Sequence, residues 1–199
     1  FTLTASLAAK VPDPDPARFA KAMATFGEED IVRKPVAHLT LFTGSSSIRM
    51  WKSLAKDFPD LNVLNRGFGG AHISDVLHHF DILIPRHKPD VIVLYCGEND
   101  LWFGKPPKQV FADFKEFVRQ VHKILPKTRI HYLACKPSPK RFEKWDVYQT
   151  CNRLIANHGD KDDRLNFVDV SKVMLGKDDQ PLPDIWLKDK LHMNQVGYA

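Results

Sequence analysis

Apolar, β-branched runs alternate with stretches of helical periodicity along most of this chain, and that alternation limits the folds open to it more than any other feature. Residues 37–43, 61–65, 90–96, 128–134 and 164–168 read as strands. The third is continuously apolar, as a strand buried on both faces must be. Residues 48–58, 73–84, 108–125 and 145–157 read as helices. In the long one, Val110, Phe111, Phe114, Phe117, Val118, Val121 and Leu125 share a face. Strand then helix, repeated over 199 residues, predicts an α/β class: a parallel sheet of five strands inside a three-layer α/β/α sandwich, closed by right-handed crossovers.

Before the first strand, Val11 to Pro16 is too rich in proline for a helix. Asp15-Pro16 then reads as a cap and first turn. A helix over 16–29 puts Phe19, Met23 and Phe26 on one face. The expected division is an arm and helix over 1–36, packed on a main domain over 37–199. Residues 1–9 resemble the tail of a secretory signal without its basic start, which favours a periplasmic or secreted protein. The alternative is cytoplasmic, favoured by an odd set of three cysteines, Cys96, Cys135 and Cys151, read as buried free thiols.

A net charge of +5 with scattered Lys and Arg is no nucleic-acid footprint, so no nucleic-acid partner is expected. No apolar run is long enough to span a membrane, so no integral membrane span is expected. Lys136, Lys140, Arg141 and Lys144 fall in a Pro-rich connection and read as a solvated loop.

The polar, glycine-rich sequences sit where the predicted strands end. They are Gly44-Ser45-Ser46-Ser47, Asn65-Arg66-Gly67-Phe68-Gly69-Gly70, Gly97-Glu98-Asn99-Asp100 and, in the closing loop, Asp189-Lys190-Leu191-His192. In a parallel sheet those ends share one edge, the edge where ligands bind. Alone, the serines read first as helix caps and only second as a nucleophile. Together the four stretches hold the parts for acyl transfer. A serine needs a base, and His is the usual one near neutral pH. A carboxylate three residues from that His can orient it. A glycine N–H and the Asn99 amide can hold an oxyanion.

In this order and spacing, the four stretches resemble the SGNH (GDSL-type) esterases and acylhydrolases over most of residues 39–199. The resemblance implies a flavodoxin-like sheet and a triad of Ser46, His192 and Asp189. It also implies an oxyanion hole formed by Ser46, Gly70 and Asn99. Ser45 stands where the family has Asp, and Ser45 and Ser47 remain alternative hydroxyls. The implied activity is cleavage of short-chain acyl esters, including acetyl esters on carbohydrates. A lysophospholipase or thioesterase is the alternative within the class, and a catalytically silent carbohydrate- or partner-binding domain the alternative outside it.

Neighbouring residues have plainer readings as well. Arg66 and Glu98 read as ion-pair or packing residues first and as substrate contacts second. Trp102 and Trp145, with Phe103 and Trp186, read either as a platform for an acyl group or sugar or as loop anchors. Gly67-Phe68-Gly69-Gly70 lacks the third glycine of a dinucleotide loop and follows the second strand. His78 and His79 have no helical partner for a metal, so neither metal nor cofactor is expected.

Overall fold

The computed structural model describes residues 10–199; the signal-like reading of residues 1–9 lies outside the described residues. Five parallel strands, β1 (Leu39–Gly44), β2 (Asn62–Gly67), β3 (Val91–Tyr95), β4 (Arg129–Leu133) and β5 (Leu165–Val168), form one sheet in the order β2-β1-β3-β4-β5. The helices are α1 (Ala20–Val32), α2 (Ser46–Arg49), α3 (Leu54–Asp57), α4 (Ile73–His78), α5 (Phe80–Leu83), α6 (Glu98–Trp102), α7 (Pro107–Ile124), α8 (Trp145–Gly159) and α9 (Gln195–Tyr198).

The first crossover runs from β1 outward to β2, and the later ones run the other way. Right-handed connections therefore put α2 and α3 on one face of the sheet and α4, α5, α7 and α8 on the other. Strand alternation follows suit. Leu41, Ile92, Leu94 and Ile130 pack with Val76, Leu83, Phe114, Phe117 and Ile155. Phe42, Val93 and Tyr95 face Ile48 and Leu54. Each such side chain contributes about 1.5–3 kcal/mol by leaving water. Cys96, Cys135 and Cys151 are free and buried, as expected from their place at the ends or inner faces of apolar elements.

Three expectations need correction. The helix expected over 48–58 is two short ones. Between them Trp51 packs against the rings of Phe42, Phe58 and Tyr198, and its indole N–H reaches Asp57 at 2.6 Å. The helix expected over 73–84 is likewise divided, at His79, whose Nε2 lies 3.1 Å from the Pro16 carbonyl. In both places tertiary contacts outweigh helical propensity, which is worth less than about 1 kcal/mol per residue. Finally, the Pro-rich connection is not all solvated: Lys136 is 2% exposed and Arg141 9%, both turned inward onto Glu98.

The segment before β1 is fastened by ions. Asp13 pairs with Lys105, Arg18 with Asp75, and Glu29 and Asp30 with Arg66. Among the described residues no helix is long and apolar enough to cross a membrane.

Candidate active site

The strand order reverses at β1, and the crevice at that reversal is where this class of sheet binds ligands. Gly44 makes the turn there. Its φ is +116°, and a Cβ would sit 2.0 Å from the Tyr95 carbonyl oxygen. That carbonyl accepts the Ser45 N–H at 2.8 Å, so β1 stays joined to β3 while the chain turns into α2. Ser46 opens α2 and is half-buried. Ser45 and Ser47 are buried at 2% and 3% exposure.

The Ser46 hydroxyl lies 2.9 Å from His192 Nε2, although 146 residues separate the two. His192 Nδ1 lies 2.6 Å from Asp189 Oδ2. Asp189 Oδ1 accepts the backbone N–H groups of Leu191 and His192, each at 2.9 Å. Lys190, in a left-handed conformation with φ +58°, folds the loop back so that one carboxylate meets three donors. Desolvation pulls the Asp189 pKa up. The hydrogen bonds from His192 and from the two backbone N–H groups outweigh it and hold the carboxyl at about 2. With an ionised acceptor at Nδ1, the imidazole proton sits there and Nε2 faces the hydroxyl with its lone pair.

Gly70, with φ +85°, turns its backbone at the end of the second polar stretch. Neither the Ser46 nor the Gly70 N–H donates to a backbone acceptor among the described residues. Asn99 Nδ2 donates to the Ala71 carbonyl at 3.0 Å, and Asn99 Oδ1 accepts from Arg141 Nη1 at 3.0 Å. Arg141 only donates and a carbonyl only accepts, so the amide has one orientation, with one Nδ2–H left over.

Ser46, Gly70, Asn99 and His192 line one cavity of about 570 Å³. Its apolar wall is Phe68 with Phe19, Ala22 and Phe26 of the N-terminal segment. Phe19 meets Phe68 edge-on at 4.8 Å. A second groove, more apolar, lies on the other side of α2 around Phe42, Val93, Tyr95 and Leu133, without Ser46 or His192.

The residues read as substrate contacts do not line the cavity. Arg66 is buried, bonded to Glu29 at 2.6 Å and to Asp30, and stacked on Phe26, so it fastens α1. Glu98 is buried between Lys136 and Arg141, which hold its carboxyl below the usual range against the opposing pull of desolvation. Trp102 lies beneath the Arg141 guanidinium, 5.1 Å away. Trp145 stacks on Phe142. For Arg66 and Glu98 this is the ion-pair reading that came first, and Trp102 and Trp145 pack on Arg141 and Phe142 as the loop-anchor reading has them. Sequence reasoning missed the α1 wall and Arg141. The helical spacing of Phe19 and Phe26 signalled burial but not against what, and Arg141 had only its place after β4 to mark it.

Among the described residues, no group of three or more His, Cys, Asp or Glu is gathered as a metal site. No curated protein matches the sequence. Solved structures do match in fold. A Streptococcus pneumonia protein named for platelet activating factor is 20% identical, with 90% of this chain and 86% of that chain covered and a TM-score of 0.79. A GDSL-like lipase from Bacteroides thetaiotaomicron is 21% identical over 92% and 91%, with a TM-score of 0.70. An acetylxylan esterase from Geobacillus stearothermophilus is 15% identical over 84% and 91%, with a TM-score of 0.65. The SGNH hydrolase fold is thus shared at low identity. A family model, the GDSL-like lipase/acylhydrolase family, matches residues 37–199, more than three quarters of the sequence. The chain belongs to that family and is a carboxylic ester hydrolase.

Proposed function

We propose that this protein hydrolyses short-chain acyl esters through an acyl-enzyme on Ser46. The reading rests above all on the hydrogen-bond chain from Ser46 through His192 to Asp189, at 2.9 and 2.6 Å. Ser46 Oγ attacks the ester carbonyl carbon as its proton passes to His192 Nε2. The carbonyl π electrons move onto oxygen, and the Ser46 and Gly70 N–H groups with the free Asn99 Nδ2–H hold that oxyanion. Collapse breaks the bond to the alcohol, which takes the proton from His192. Water repeats the sequence on the acyl-enzyme and releases the acid. Asp189 stays ionised throughout and stabilises the imidazolium. No cofactor takes part in these steps.

The preferred substrates are acetyl and other short acyl esters, carbohydrate esters among them. The fold likeness to an acetylxylan esterase supports this class. The Phe19, Ala22, Phe26 and Phe68 wall favours a second reading, an ester with a longer apolar chain such as a lysophospholipid or thioester. In either reading, residues 37–199 form the catalytic unit and the preceding segment closes its cavity.

The test is hydrolysis of p-nitrophenyl acetate, butyrate and octanoate by wild type and Ser46→Ala. The variant is expected to lose on the order of 10³-fold or more in kcat, since a triad without its nucleophile keeps only residual catalysis. Undiminished activity in Ser46→Ala would remove the mechanism. A steep fall beyond butyrate selects the short-acyl reading, and a rise selects the longer-chain one. Failure of wild type to react with a fluorophosphonate probe would favour a silent binding domain.

A further inference from the structure

Two buried cations meet a single buried carboxylate beside Asn99. Glu98 Oε2 accepts from Lys136 Nζ at 2.6 Å and from the Tyr95 hydroxyl. Glu98 Oε1 accepts from Arg141 Nη1 at 3.0 Å. No second carboxylate pairs with either cation among the described residues. Two positive charges against one negative leave the cluster at +1. An unbalanced charge in so dry a place is costly. Of the two cations, among the described residues, only Arg141 also reaches Asn99, so the positive charge nearest that amide is Arg141's.

Arg141 spends its contact in a particular place. The Nη1 that meets Glu98 also donates to Asn99 Oδ1, at 3.0 Å. Trp102 supports the flat face of the guanidinium. The backbone is held as well: Arg141 N–H donates to the Ser138 carbonyl at 3.0 Å, and Lys140 N–H to the Lys190 carbonyl at 2.9 Å, within the loop that carries His192. Arg141 also lines the Ser46 cavity.

We propose that Arg141 is a positioning residue for oxyanion stabilisation, locking the Asn99 amide in one orientation and placing its positive charge at that amide's oxygen end. A cation at Oδ1 draws electron density from the amide and makes the remaining Nδ2–H a stronger donor. Both effects grow in importance as negative charge develops in the transition state, so they act on kcat more than on KM. The inference rests on the proposed role of Asn99 as an oxyanion donor.

The test is a cycle of wild type, Asn99→Ala, Arg141→Met and the double variant, with kcat and KM for p-nitrophenyl acetate. Asn99→Ala is expected to lower kcat by about 10²–10³-fold. Arg141→Met is expected to lower kcat about tenfold or more with KM within about twofold, yet cost less than about twofold further in the Asn99→Ala background, because coupled residues are not additive. Equal losses in both backgrounds would mean a purely structural role and overturn the proposal while the Asn99 assignment stands. An increase confined to KM would mean substrate binding and also overturn it. If Asn99→Ala keeps its kcat, the oxyanion assignment fails and the inference falls with it. Should Arg141→Met not fold, Arg141→Lys retains a cation against Glu98 but not the planar fork. The same cycle is then read with Lys, where a loss in the wild-type background that vanishes in Asn99→Ala supports the proposal and an equal loss overturns it.

Discussion

At the scale of single residues, the site depends on backbone positions as much as on functional groups. Gly44 is the clearest case. A Cβ there would meet the Tyr95 carbonyl oxygen at 2.0 Å, and φ is +116°. The Tyr95 backbone cannot yield, because its carbonyl oxygen also accepts the Ser45 N–H. Gly44→Ala is therefore expected to destabilise by about 3 kcal/mol or more. A lowered urea midpoint at unchanged slope would show it, and a wild-type midpoint would disprove the close approach of β1 and β3. Ser46 was legible as one of three candidate hydroxyls. The resemblance pointed to it, and the fold brings its hydroxyl alone to His192, with Ser45 and Ser47 buried on either side. Arg141 was not legible: nothing local distinguishes a buried arginine from the exposed Lys140 beside it.

At the scale of elements, periodicity located strands well and helix breaks badly. A strand's alternation is set by the sheet it lies in, whereas a helix of ten residues yields to a few good contacts, as at Trp51 and His79. α1 is the element whose consequence was hidden. It precedes the residues matched to the family, yet its Ala22 and Phe26, with Phe19 just before it, line the cavity beside Phe68. Ala22→Phe adds a ring there. It is expected to lower kcat/KM for the octanoyl ester at least about tenfold more than for the acetate, the scale on which a hydrophobic wall discriminates. A parallel series of acyl esters measures this, and an equal change at every chain length would mean that the wall does not contact the acyl group.

At the scale of the whole molecule, burial of ionisable groups gives stability a pH dependence. His72 is 4% exposed, and burial lowers its pKa to about 4, with the positive charge of Lys105 acting in the same direction. Unfolded, it titrates near 6.5. Between those values the unfolded chain binds more protons, so stability is lost as pH falls through that window. Wild type is expected to lose about 3 kcal/mol more than His72→Gln between pH 7 and pH 4. Urea unfolding of both proteins at the two pH values checks this, and parallel losses would place His72 in contact with water. Asp100, pushed up to about 6 by burial, opposes the trend but is common to both proteins.

The sequence by itself determined the order of strands and helices and the edge on which four polar stretches gather. Periodicity is local, and the C-terminal ends of parallel strands share an edge whatever the side chains do. Tertiary structure alone decided how closely Ser46 meets His192, that Lys136 and Arg141 turn inward to Glu98, and that Ala22 and Phe26 of α1 line the cavity. Those outcomes depend on contacts between residues tens to more than a hundred positions apart, whose energies belong to the packed chain and leave no local pattern.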